Sequence, residues 1–199
     1  MRYPPLIKAY ALVSAFTALM FFPLSSLASL APLTSSESLL WESPSNFEKT
    51  VDKGLTLIRK KYNNPTFYEV DVSLKSPAAD KSAVDIQKLS MVFGLANGDS
   101  VILNDTPPNF EAPVIVHSPF LGDYALQWPL SMTLDQAIDT KNKAGFTQPF
   151  SHVTVRTPLS YPSSFHPDYI FQTQPHQFIF VDSVNQAVYA VNNVDTEVQ

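Results

Sequence analysis

Two stretches of this 199-residue chain open alike and then change period alike, and that shared change limits the fold more than any other feature. The first, residues 45–62, reads SNFEKTVDKGLTLIRKKY. Ser45 followed by Glu48 fits a capping box, in which hydroxyl and carboxylate each satisfy a backbone N–H that the first helical turn leaves open. Phe47, Val51, Leu55, Ile58 and Tyr62 recur at helical spacing until Asn63-Asn64-Pro65 stops them. TFYEVDVSLK then sets Tyr68, Val70, Val72 and Leu74 against Glu69, Asp71, Ser73 and Lys75. A period of two is a strand with one face buried. The second stretch opens with Thr133 and Gln136, again a capping-box pair. Leu134, Ala137, Ile138 and Ala144 line one side of a shorter helix, and Gly145 supplies its stop. SHVTVRT alternates in turn, with Val153 and Val155 on one face and His152, Thr154 and Arg156 on the other.

Each stretch leads to a hairpin. In the first, KLSMVFGLANGDSVIL breaks at Asn97-Gly98-Asp99, and Asn-Gly accepts the positive φ of a tight turn. In the second, DYIFQT and HQFIFV run to Asp182, and QAVYAV follows. Aspartate at such a corner bonds local backbone amides, so Asp182 reads as a turn residue rather than a catalytic carboxylate. The fold class expected is α+β: two units, each a helix on an antiparallel sheet, either side by side or merged into one domain. The first unit is 45–104 and the second 133–194. A proline-rich connection, 105–132, joins them, and its APVIVHS and DYALQWP segments are candidates for further strands.

Arg2 and Lys8 precede an uncharged apolar run at 9–22, and two small-x-small sites follow, ending at Ala28 and Ala31. The run is shorter than the ~20 residues a spanning helix needs. The succession predicts a signal peptide over 1–31, cleaved near Ala28 or Ala31, then a flexible tail over 32–44. The mature chain is therefore expected to be secreted or periplasmic, with no stable membrane span. Cysteine is absent, which excludes thiol catalysis, zinc–thiolate sites and disulfides. The net charge of −5 and the lack of any recognisable motif exclude nucleic acid as a partner. Arg59, Lys60 and Lys61 sit where a helix ends and complement its dipole.

Stretches in the second unit resemble PepSY-type domains of the cystatin-like fold group, best over residues 132–191. The matching segments are the MTLDQAID helix opening (132–139), the strand FSHVTVR (150–156) and the closing hairpin at 178–191. That family's hairpin carries a glycine shortly after its aspartate, where this chain has Asn185-Gln186; asparagine tolerates the left-handed conformation. The resemblance implies an extracytoplasmic, non-catalytic module associated with peptidase regulation or envelope binding.

The residues themselves assemble no catalytic set. No G-x-S-x-G elbow or phosphate-cradling loop is present, and the chain has five glycines. His166, Asp168 and His176 lack ligand spacing, so neither a metal nor a cofactor is expected. A helix covers only one side of a sheet, and aromatic residues gather in the second unit. Phe165, Tyr169, Phe171, Phe178, Phe180 and Tyr189 are therefore the candidate binding surface, for a peptide or protein partner. The rival is a nuclear-transport-factor-like pocket protein with a ligand-binding or enzymatic role. It would turn at least two of Glu69, Asp71, His152, His176 and Tyr169 inward within hydrogen-bonding reach.

Overall fold

The computed structural model describes residues 46–106, 109–159, 165–174 and 177–192. The expected leader and tail lie outside them, as do Ser45 and His176. In chain order the elements are α1 (Asn46–Lys61), β1 (Thr66–Ala78), β2 (Ile86–Gly94), β3 (Ser100–Thr106), β4 (Asn109–Phe110), β5 (Val114–Val116) and β6 (Asp123–Tyr124). Then follow α2 (Leu134–Lys143), β7 (Phe150–Pro158), β8 (Asp168–Gln174), β9 (Gln177–Asp182) and β10 (Val188–Asn192). The class is α+β and mostly sheet.

Every strand pair is antiparallel, and all belong to one sheet ordered β10-β9-β8-β7-β1-β2-β3-β4, with β5 also on β3 and β6 on β7. The strand that follows α1 pairs with the strand that follows α2: Val70 lies opposite Val155 and Val72 opposite Val153. Those four valines, fully buried, form the centre of the core. Both helices lie on their side of the sheet. From α1, Phe47, Val51, Leu55 and Ile58 join the same core cluster, and from α2, Leu134, Ala137 and Ile138. The helical stripes thus meet the alternating strands as their spacing predicts. Gly54 allows the approach of α1 to the sheet: a Cβ there would collide with Met91 Sδ.

Two local expectations are corrected. Ala144 is exposed at the end of α2, and the buried position one turn after Ile138 belongs to Lys141, which is completely buried. Its ammonium donates to Asn142 Oδ1 (2.8 Å), Phe146 O (2.5 Å) and Gln148 O (3.3 Å), and lies over the rings of Phe150 and Phe171. A lysine reads as a surface residue in an amphipathic pattern, but here it holds the loop after Gly145 to the core. In the last turn the left-handed residue is Gln186 (φ +62°), not Asn185. The bonds Gln186 N–H to Asp182 O and Asp182 N–H to Ala187 O close the corner around it. Glu48 Oε1 accepts the Leu134 N–H at 2.8 Å and so caps α2 from α1. Thr133 and Gln136 form the expected capping box.

The connection is not a bare linker. Its β4 and β5 cover the outer edge of β3, and β6 pairs with the end of β7. Leu126 N–H donates to Phe67 O, and Trp128 packs on Phe47 while its Nε1–H bonds Asp52. Asn97-Gly98 makes the expected turn, with Gly98 at φ +88°. Among the described residues no helix is long and apolar enough to cross a membrane.

Candidate functional site

Alternation assigns each strand residue to a face. The helix-covered face takes Val70, Val72, Val153, Val155, Tyr169, Phe171, Ile179 and Val181, all buried. Their neighbours stand on the opposite face, which neither helix covers. Register then orders those neighbours into rows. Glu69 lies opposite Arg156, Arg156 opposite Asp168, and Asp168 opposite Asp182. The next row runs Asp71, Thr154, Ile170, Phe180, Tyr189. A third brings Gln172 beside Phe178 and Phe178 beside Val191. One row is ionisable, and the others are aromatic and aliphatic toward β10. A groove of about 420 Å³ opens here, lined by Glu69, Thr154, Arg156, Ile170, Phe178, Phe180 and Val191.

The ionisable row is extended by Asp123, which β6 sets opposite Pro158, on the side that Arg156 occupies. Arg156 Nη1 stands 3.5 Å from Asp123 Oδ1 and 4.0 Å from Glu69 Oε2. The Asp123 side chain is 0% exposed, and its carboxylate has the carboxyl of Glu69 as its hydrogen-bond partner, which needs a proton on one of the two; Arg156 Nε is buried without a partner. Burial chiefly, then the charge of Asp123, pushes Glu69 up to about 7; Arg156 opposes this and Asp71 adds to it. Burial also raises Asp123, against the pull of Arg156. A proton on Glu69 supplies the donor that Asp123 otherwise lacks, so the pair is satisfied in its singly protonated form. Further along the row, burial pushes Asp168 up to about 6, although the hydroxyl of Tyr189 donates to its Oδ2 at 3.1 Å and lowers it. Asp182 accepts the N–H groups of Val184 (2.8 Å) and Asn185 (3.0 Å) with Oδ1, the turn role expected of it. Its Oδ2 lies 3.1 Å from His166 Nδ1.

The six aromatic residues of the candidate surface do not form one surface. Tyr169 and Phe171 are buried in the core on the helix-covered face, where Tyr169 OH donates to Met132 O. Phe178, Phe180 and Tyr189 stand half-buried on the uncovered face, with the rings of Phe180 and Tyr189 stacked 5.0 Å apart. Phe165 is 68% exposed in the loop before β8 and meets Tyr124 edge to face. The split follows from register: Phe171 faces Ile179, so Phe178 points the other way. Of the residues the pocket rival requires, Glu69, Asp71 and His152 are on the uncovered face, and Tyr169 is on the other. Asp71 accepts from Thr154 Oγ1 and His152 lies beside Ser151 Oγ. Among the described residues no group of three His, Asp or Glu could hold a metal ion.

A larger cleft, about 670 Å³, lies beside α1 and the first turn of α2. Its lysines are engaged: Lys53 lies over the ring of Phe110 and acts on the buried carboxyl of Asp105, and Lys81 pairs with Asp139. The uncovered face concentrates displaced carboxyl groups, aromatic surface and unmatched polar atoms in one place, which marks it as the stronger candidate. No protein-family model, curated protein or solved structure matches the chain.

Proposed function

We propose that this protein is an exported, non-catalytic binding module that receives a peptide or protein partner on the sheet face its helices leave open. The observation that carries the reading is the groove itself: half-buried Phe178 and Phe180 beside charged Glu69 and Arg156, a mixed lining suited to recognition. An extended peptide fits such a surface because its alternate side chains reach one face. A random peptide library displayed on phage and selected on the full chain tests this. Enrichment that is lost on a folded Phe178→Asp/Phe180→Asp variant is expected. Enrichment that survives the double substitution would move the site elsewhere.

Export rests on the Arg2, Lys8, 9–22 and small-residue succession. Mass spectrometry of the mature protein is expected to show an N-terminus near Ser29 or Pro32, and intact Met1 on membrane material would contradict it. The two halves are read as copies of one plan, PepSY-like in its second half. In support, each places a helix before a central strand and then two strands running outward, β1-β2-β3 and β7-β8-β9. Superposition of the halves should overlay α1 on α2 together with these strands; helices that overlay without the strands would end the repeat reading.

A further inference from the structure

We infer that the groove seats a basic side chain, arginine or lysine, of an extended peptide, with its charge against Glu69 and its methylene stem on Phe178 and Phe180. This rests on the binding-face reading and adds the chemistry of the partner.

The first argument is charge. Glu69, Asp123 and Asp168 gather about the one guanidinium of Arg156, while Asp182 has His166 and its turn amides. When ionised, the row carries more anionic than cationic charge, and the groove reaches it at Glu69, whose side chain is 19% exposed. The second is the buried carboxylate of Asp123 behind the wall that Glu69 and Arg156 make, 3.5 Å from Arg156 and bonded to Glu69 only while the two share a proton. A cation at Glu69 offsets the repulsion between the two carboxylates that loss of the shared proton leaves. The third is the apolar floor, since long basic side chains lay their stems on aromatic surface while the head finds its counter-charge.

The seat is shared with a proton. The groups facing Glu69 are Asp71 on its own strand, Asp123 on β6 and Arg156 on β7, and together with burial they hold its proton up to about pH 7. An arriving guanidinium or ammonium takes the place of that proton: the carboxyl O–H breaks, the proton passes to solvent, and the carboxylate pairs with the cation. Binding therefore strengthens as the pH rises through 7, where arginine and lysine remain charged.

Three blocked pentapeptides, Ala-Leu-Xaa-Leu-Ala with arginine, glutamine or glutamate at the centre, titrated into ¹⁵N-labelled full chain, test this. At pH 8 the arginine peptide is expected to bind about five-fold tighter than the glutamine peptide, shifting the amides of Glu69, Arg156, Phe178 and Phe180. At pH 5.5 the advantage should fall below about two-fold, as the proton reclaims Glu69. Glu69→Gln should abolish the advantage of arginine over glutamine at pH 8; if that variant misfolds, the pH dependence in the unaltered chain decides. Equal binding of arginine and glutamine peptides at pH 8, or a preference that ignores pH, would overturn the basic seat and leave the binding face standing. Absence of shifts at those four amides with every peptide would bring down both.

Discussion

Lys141 and Asp123 are both charged and both buried, one on each side of the same sheet, and the protein treats them in opposite ways. Lys141, under α2, gives its three protons to three acceptors and lies over two aromatic rings. Asp123, behind Glu69, has a 3.5 Å ion pair and, for a hydrogen bond, only the proton it shares with Glu69. The first arrangement is closed; it ties a loop to the core and asks for nothing more. The second depends on a proton shared with Glu69, and Glu69 lines a groove at the surface. The contrast divides the molecule into a face that stabilises and a face that we propose meets a partner.

The largest effect should come from the cores of the two faces. Phe171→Ala, on the helix side, is expected to lower stability by about 3–5 kcal/mol. Phe178→Ala, half-buried on the other side, should cost no more than about 1.5 kcal/mol. Urea denaturation of both variants checks the ratio, and equal losses would erase the distinction between the faces. Next, Lys141→Met preserves the stem but orphans carbonyls that the ammonium satisfied, and should cost about 2–3 kcal/mol by the same measurement. Asp123→Asn, which relieves the repulsion with Glu69 but weakens the ion pair to half-exposed Arg156, should change stability by no more than about 1 kcal/mol. A large loss there would show that the arrangement at Asp123 is a structural one after all.

The smallest effect is one of slope. Glu69 titrates near 4.5 when unfolded and about 7 when folded, and Asp168 near 3.8 and about 6. Between those values the folded chain holds protons that the unfolded chain has released. Their contribution is present below the lower value and is lost as the pH rises through the upper one. The melting temperature should therefore acquire a falling component between pH 4.5 and 7. Glu69→Gln, which fixes the neutral form, should flatten it and melt higher than the parent at pH 7.5 but not at pH 4.5.

Much of the stabilising face was legible in the sequence, because one periodicity specifies both a strand and the side it buries. Val70 and Val72, like Val153 and Val155, could be placed by counting in twos, and Thr133 by its partner Gln136. The candidate site was less legible for three physical reasons. Asp123 is buried only because β6 folds back onto the end of β7, a pairing across more than thirty residues that no local pattern announces. Lys141 carries a charge that masks its position on the apolar side of α2. The aromatic residues of β8 and β9 look alike in sequence, but the register between the two strands sends Phe171 inward and Phe178 outward. Arg156 and Glu69 could each be assigned to a polar face; their being opposite one another required the β1–β7 pairing that joins the two halves of the chain.

The central claim is that the uncovered face holds a proton on Glu69 in place of a cationic partner. Carbon-detected NMR of the side-chain carboxyl of Glu69, followed from pH 4 to pH 9, tests it most directly. The account predicts a midpoint near 7, falling when the arginine peptide is added, with Asp168 titrating near 6. A Glu69 midpoint near the ordinary 4.5, unmoved by the peptide, would contradict it.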